Sequence, residues 1–359
     1  MRSIVDHAGQ AREEPSIAVV AHFVHGRGRG HAARARTIAA ELDRRGHRVL
    51  LFAGAQALDL LGRGGPFELV PVESVVPGPS ALVRYPRRLR GDLRRLRELR
   101  PALVISDGDA PSVRAAGHLG IPVVSVGHDQ VFLRCRLPPG LPRFRVAHER
   151  LVAGLTSVGA DRAVAVHFLP IAVADAHARV VRVARPDRPA SLRGPIGDDG
   201  SIVAYLRDGA GMPALNAAAA AGRRVRLFGS SSALVEAAGQ AATGIELLPF
   251  DRDHFHRALL RCSAVIATAG SNLLAECVLL NKPMLALHSP GDHEQRINAL
   301  LGEAAGVAVG AVIGGDDLGE GVVDFLRRVC LRGFTKVDLE AALAPVSEVV
   351  AEQVTELLA

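Results

Sequence analysis

Ala264-Val265-Ile266-Ala267-Thr268-Ala269-Gly270-Ser271-Asn272-Leu273-Leu274-Ala275-Glu276-Cys277-Val278-Leu279-Leu280 is the stretch on which the fold turns. Its first five residues read as a buried strand, Ala269–Asn272 as a turn and Leu273–Leu280 as a helix. Asn281-Lys282-Pro283 punctuates the end, and Met284–Leu287 reads as another strand. Strand, helix, strand in that order makes a βαβ unit, whose two strands are parallel.

The same alternation extends in both directions. Strands Ile202–Leu206, Val225–Phe228 and Ile245–Leu248 precede the unit, with helices near Pro213–Ala221, Ala233–Ala242 and His254–Leu260. A helix from Glu294 to Glu303, a strand Val307–Val309 and terminal helices follow. Nearer the start, Ile17–Phe23, Arg48–Phe52, Phe67–Val72, Ala102–Ser106, Pro122–Val126 and Ala163–Phe168 read as strands. Helices Ala32–Arg45, Arg87–Leu99 and Ser112–Leu119 lie between them. From Arg182 to Gly200 proline and glycine recur and apolar periodicity disappears, which marks a linker or exposed edge. The expected architecture is α/β, two doubly wound parallel-sheet domains in tandem: 1–181, a linker 182–200, and 201–337. Ligands of such sheets bind beyond the carboxyl ends of the strands, so two facing domains place a substrate in the cleft between them.

Composition sets the outer bounds. The chain has 359 residues and is 48% hydrophobic, enough for two cores and incompatible with disorder. No apolar run approaches the ~18 residues of a membrane helix, and the first residues lack a signal-like apolar stretch. Cys135, Cys262, Cys277 and Cys330 are too scattered for a disulfide framework or a zinc knuckle. These features predict a cytoplasmic protein. The net charge is +6, and eight arginines between Arg84 and Arg100, against Asp92 and Glu98, account for all of it. Leu89, Leu93, Leu96 and Leu99 give that segment a core-facing stripe, so most of the arginines read as a solvated helix face. Contact with phosphates, or docking to an anionic membrane at its inner face, are the alternatives. With no Trp, 2 Tyr and 11 Phe, stacking platforms for nucleic acid are scarce, and no nucleic-acid partner is expected.

Four loops carry chemistry. His25-Gly26-Arg27-Gly28-Arg29-Gly30-His31 follows the first strand and opens a helix. Its glycines allow close backbone approach, and the helix start favours negative charge. A dinucleotide-binding reading needs an acidic residue ending the second strand, where Leu51-Phe52-Ala53-Gly54 stands instead. His31 remains as a general base, or as a structural histidine. Ser106-Asp107-Gly108-Asp109 puts a carboxylate at a strand end, where Asp107 is placed to orient a histidine. His128-Asp129-Gln130 offers three polar groups suited to a hydroxyl-rich ligand. In the second half, free amides at Gly270, Ser271 and Asn272 suit a diphosphate, Glu276 suits a ribose diol, and Asp292, Glu294 and Gln295 suit sugar hydroxyls.

Gly270-x5-Glu276, then Lys282-Pro283, then Asp292-x-x-Gln295-x-x-Asn298-Ala299 resembles the donor-binding half of GT-B nucleotide-sugar glycosyltransferases. The resemblance is to glycosyltransferase family 28, which includes the peptidoglycan N-acetylglucosaminyltransferase, and to small bacterial and archaeal relatives. It runs across most of the chain: Gly30-His31 matches the family's Gly-His, and His128-Asp129-Gln130 stands where the peptidoglycan enzyme has His-Glu-Gln. The resemblance implies two Rossmann-like domains facing across a cleft, with the last segment, 338–359, crossing back onto the first domain. It implies an inverting transfer of a sugar from a nucleotide diphosphate sugar, UDP foremost, to an acceptor hydroxyl. His31 would be the base, oriented by Asp107. The donor would be held by Gly28, Gly30, Arg207, Phe250, Gly270, Ser271, Asn272, Glu276, Asp292, Glu294 and Gln295, and the acceptor by His128, Asp129 and Gln130. No cofactor and no metal are expected, with Arg207 offsetting the departing diphosphate. Arg27 and Arg29 make the first loop more basic than the family pattern, which favours a phosphorylated acceptor or extra donor contacts; the acceptor itself is left open, phosphorylated and lipid-linked ones included. Glu294 stands where the peptidoglycan enzyme has Gln, which leaves the sugar open. It also keeps alive a nucleotide-sugar epimerase on the same fold; a non-catalytic nucleotide-sugar-binding partner is the third alternative.

Overall fold

Alternating apolar runs and amphipathic helices build two parallel sheets. The computed structural model describes residues 17–359 apart from 27–28, 63–65, 76–80 and 207. The first half runs β1 (Val19–Val24), α1 (Arg29–Arg44), β2 (Arg48–Ala53), α2 (Ala55–Gly62), β3 (Glu68–Pro71), α3 (Ala81–Leu99) and β4 (Leu103–Asp107). It continues through α4 (Ala110–His118), β5 (Val123–Gly127), α5 (Asp129–Arg134), α6 (Arg143–Ser157), β6 (Arg162–Val166) and β7 (Val181–Ala184). The second half runs β8 (Ile202–Tyr205), α7 (Met212–Ala220), β9 (Val225–Phe228), α8 (Ser232–Gly239), β10 (Ile245–Leu248), α9 (Arg252–Arg261) and β11 (Ala264–Thr268). Then come α10 (Ser271–Leu279), β12 (Met284–His288), α11 (His293–Ala304), β13 (Ala308–Val312), α12 (Leu318–Cys330), α13 (Leu339–Ala342) and α14 (Val346–Leu358).

The strand orders are β3-β2-β1-β4-β5-β6-β7 and β10-β9-β8-β11-β12-β13, and every pairing within both sheets is parallel. Each order reverses direction beside its first strand, between β1 and β4 and between β8 and β11. These are the crevices where doubly wound sheets bind ligands. Buried on both faces, the central strands are almost wholly apolar, as parallel strands must be.

Several boundaries differ from expectation. The first sheet does not end at Ala163–Phe168: β7 pairs beside β6 and takes in residues 181–184, across the boundary expected at 181. The segment after it is buried in part: Leu192 is fully buried in a cluster that also holds Phe132 and Phe168 of the first half and Phe255 and Leu259 of the second, while residues 195–200 are exposed. A helical turn at Ala190–Leu192 holds it there. Helix α3 begins well before Arg87 and runs through Pro86. The carbonyl that Pro86 leaves without a donor belongs to Leu82, whose residue is 83% exposed and open to water. Two helices without clear sequence signals, α5 and α6, wall the cleft. In the final segment Val346, Val349, Val350 and Val354 pack with Val20, Ile38 and Leu42 of the first half.

The buried face of α3 is not purely apolar. Arg88 turns inward and donates to Asp92 (2.9 Å) and Asp109 (3.2 Å). Burial pushes the Asp92 carboxyl up to about 6, with Arg88 opposing the shift.

His22 on β1 and His167 after β6 are both buried. Burial lowers the first to about 4 and the second to about 3. A histidine buried neutral binds its proton more weakly in the folded chain than in the unfolded one. Its stabilisation is therefore present above pH 6.5 and lost as pH falls toward the folded value. Between pH 6.5 and 4, His22 alone removes about 3 kcal/mol. Denaturant unfolding across that range is expected to show the loss, and His22→Leu to reduce it, the share of His167 remaining.

Candidate active site

The carboxyl ends of β1 and β4 meet the N-terminus of α10 across a cleft of about 610 Å³. From the first half it is lined by His25, His31, Arg34, Asp129 and Glu149, and from the second by Ser271, Asn272 and Glu294. His31, on the first turn of α1, sets its Nδ1 2.7 Å from Asp107 Oδ1, the last residue of β4. In the tautomer that donates this hydrogen bond, Nε2 is the unprotonated nitrogen. His31 is 32% exposed, so that nitrogen is accessible from the cleft, whereas Asp107 is fully buried. Burial opposes the Asp107 charge, yet Arg34 and His31 more than offset it and hold the carboxyl well below its ordinary range.

Two glycines border this pair. A Cβ on Gly30 would lie 2.0 Å from Nδ2 of the Asn272 side chain, so Gly30 leaves that side chain room across the cleft. Gly108 takes a φ of +70°, reversing the chain directly beside His25 and His31.

Arg34 was not visible as a functional residue in the sequence. It is buried, and it grips Asp107 with both arms of its fork: Nε donates to Oδ2 (2.8 Å) and Nη2 to Oδ1 (2.5 Å). The available signal was its spacing. Three residues after His31 on one helix, it shares His31's face.

Several of the residues expected to hold a donor gather around α10. Gly270 caps that helix with no side-chain bond of its own, leaving the first amides at Ser271 and Asn272 for an anion. A second cavity of about 350 Å³ joins Gly30, Asn272 and Glu276 to Tyr205, Phe250 and Phe255. The Phe250 ring stands edge-on to Tyr205 at 5.3 Å, an aromatic wall of the size a base needs. Glu276 Oε1 lies 3.4 Å from His256 Nε2, and His256 Nδ1 lies 2.7 Å from Ser191 Oγ. His256 and Tyr205 are thus part of the pocket, and neither was singled out from sequence.

Other predicted residues have different places. Asp292 caps α11, accepting from the Gln295 amide at 2.9 Å. Glu294 lines the main cleft, while Gln295, the next residue, is half-buried and borders neither cavity. Asp129 lines the cleft and accepts from Thr156 at 3.0 Å. Burial raises its carboxyl above the ordinary range. Gln130 lies beneath the cleft wall, fully buried, donating to Asp129 and accepting from Arg134. His128 reaches the cleft with one face but spends both ring nitrogens on protein. Nδ1 is 3.0 Å from the Val166 carbonyl and Nε2 2.8 Å from Asn298 Oδ1. Asn298 in turn donates to the Ala269 carbonyl at 3.1 Å, so this pair bridges the two halves beside the turn that leads into α10. Gly28 and Arg207, like Arg27, lie outside the described residues.

Residues 74–330 match the family described as Glycosyl transferase family 1. Two curated relatives are each described as UDP-N-acetylglucosamine–N-acetylmuramyl-(pentapeptide) pyrophosphoryl-undecaprenol N-acetylglucosamine transferase. The one from Methylobacterium nodulans is 28% identical over 315 residues, covering 78% of this chain and 80% of the relative. The one from Rhodospirillum centenum is 32% identical over 307 residues, covering 78% of each. Among solved structures, the MurG of Acinetobacter baumannii superposes with a TM-score of 0.65 at 17% identity, over 94% of this chain and 99% of that one. The glycosyltransferase of kitacinnamycin gives 0.63 at 19% identity, over 96% and 100%. Fold, cleft and matched span agree: the chain belongs to glycosyl transferase family 1 and is a glycosyltransferase of the GT-B fold.

Proposed function

We propose that the protein transfers a sugar from a UDP-sugar to a hydroxyl of a lipid-linked acceptor, in one step and with inversion at the anomeric carbon. The observation that carries this reading is the pairing of His31 with buried Asp107 at a cleft whose opposite wall is the uncapped start of α10. His31 Nε2 takes the proton of the acceptor hydroxyl as oxygen attacks, and Asp107 orients the ring and stabilises the imidazolium formed. The amides of Ser271 and Asn272, with the α10 dipole, receive the diphosphate, whose charge grows as it departs. Glu276 receives the ribose diol, the Tyr205–Phe250 wall the base, and Glu294 with Gln295 the sugar. His128 shapes the acceptor wall through its ring face, and Asp129 presents a carboxylate there. The reaction is proposed to need no resident metal, the diphosphate being met by amides and by Arg207. The curated relatives' description supports UDP-N-acetylglucosamine as the first donor to test and a pyrophosphoryl-polyprenol sugar as the first acceptor.

A thermal-shift series over uridine, thymidine, guanosine and adenosine diphosphates tests the donor side. UDP at about 100 times its Kd is expected to add about 2.7 kcal/mol, and Glu276→Ala to remove most of that gain. A response confined to another base, or none, would contradict the UDP assignment.

The acceptor side carries an amphipathic rim. Leu82 and Val83 on α3, and Phe144, Leu151 and Leu155 on α6, are exposed. Both helices border the cleft through Ala81, Tyr85, Val152 and Leu155. The exposed arginines Arg84, Arg87, Arg90, Arg94 and Arg97 follow on the same α3. Among the described residues no helix is long and apolar enough to cross a membrane. The rim fits peripheral contact with an anionic leaflet, which would bring a lipid-linked acceptor to the cleft mouth. Co-sedimentation with anionic but not neutral vesicles is expected, weakened several-fold by Leu82→Asp with Val83→Asp. Equal recovery with both vesicle types would remove the membrane contact.

A further inference from the structure

Asp107 has two cationic partners, and the general-base reading uses only one of them. Oδ1 is shared between His31 Nδ1 at 2.7 Å and Arg34 Nη2 at 2.5 Å, while Oδ2 belongs to Arg34 Nε at 2.8 Å. Arg34 Nη2 also comes within 3.2 Å of His31 Nδ1. A lone buried carboxylate at that distance would favour the imidazolium, and an imidazolium is no longer a base. A carboxylate already neutralised by a guanidinium gives direction without that penalty.

We propose that Arg34 is a positioning residue for the base: it neutralises Asp107 and fixes its plane, so that Asp107 orients His31 without holding a proton on it. The bidentate grip accounts for the plane, since two parallel N–H donors leave the carboxylate one orientation. The other groups around His31 leave the task to Arg34. His25, from the loop after β1, presents its ring at 5.3 Å. Asp129 from α5 and Glu294 from α11 are anions that reach Arg34 through space. His22, on β1, has no hydrogen-bond partner at either ring nitrogen, and both Arg34 and burial keep it neutral. Among the described residues the one buried cation in the group is Arg34, which burial opposes and Asp107 sustains.

This inference rests on His31 being the base, and its test separates the two claims. The imidazole signals of the full-length chain, labelled at histidine, are titrated by NMR, with His31 assigned by its disappearance in His31→Ala. In Arg34→Gln, which keeps a hydrogen bond to Asp107 but removes the charge, the His31 midpoint is expected to rise by about 1–3 pH units. Arg34→Lys is expected to return much of that displacement. The acidic limb of kcat/KM should move upward in parallel, with activity recovering at higher pH. Arg34→Met serves as the second uncharged variant if Arg34→Gln does not fold. A His31 midpoint equal to or below the wild-type value in the uncharged variant would overturn the role of Arg34. A wild-type rate in His31→Ala would instead overturn the base assignment and leave the NMR result standing.

Discussion

Asp107→Asn is expected to cost both stability and activity. In stability, the substitution leaves the Arg34 guanidinium buried without its counter-charge, and breaking a buried pair from one side costs about 3–5 kcal/mol. Arg34 is only 8% exposed and Asp107 not at all, so little water reaches the orphaned cation. In activity, an asparagine can offer His31 Nδ1 an N–H where the carboxylate offered an acceptor. The ring then carries its proton on Nε2, facing the cleft, and cannot accept one from a substrate. In triads where an aspartate orients a histidine, that exchange lowers kcat by about 10⁴. Denaturant unfolding and initial rates on the same preparation check both parts. A variant with wild-type stability would mean that the Arg34–Asp107 pair is solvated in solution.

His31→Ala is expected to separate chemistry from folding. The side chain is partly exposed, and Asp107 keeps both bonds from Arg34 when His31 is gone. Stability should move by no more than about 1 kcal/mol. Donor binding should be unchanged, because the base faces the acceptor and no donor group leans on it. The rate should fall about 10²–10⁴-fold, the usual contribution of a positioned base. A loss of UDP affinity as large as the loss of rate would place His31 among the donor ligands instead.

The fold could be read from the sequence because its strands are buried on both faces and appear as short, continuous apolar runs with glycine and proline between them. What failed to show was built by side chains with a double life. β7 is a four-residue edge strand followed by prolines, and its alternation is too short to stand out from the linker. Helix α3 begins before a proline because the one lost hydrogen bond falls on a hydrated turn. The pair His31 and Asp107 was legible as types at strand ends, 76 residues apart in the chain, which only the β1–β4 pairing brings together. Arg34 was hidden by composition: in a chain whose basic residues are nearly all arginine, one more on an amphipathic helix carries no mark. His128 illustrates the reverse. Its sequence context points to the acceptor, while both of its nitrogens are taken by Val166 and Asn298, so the motif serves the contact between the halves as well as the cleft. Gln130 likewise supports Asp129 from below.

In the proposed reaction His31 activates an acceptor hydroxyl for direct displacement of UDP. The measurement that tests it most directly is the anomeric configuration of the product, read by NMR after turnover of an α-linked UDP-N-acetylglucosamine with a pyrophosphoryl-polyprenol sugar acceptor. One displacement on a single base gives a β-linked product, formed by the wild type and nearly absent with His31→Ala. An α-linked product, or the same β-linked product at an undiminished rate without His31, would contradict the account.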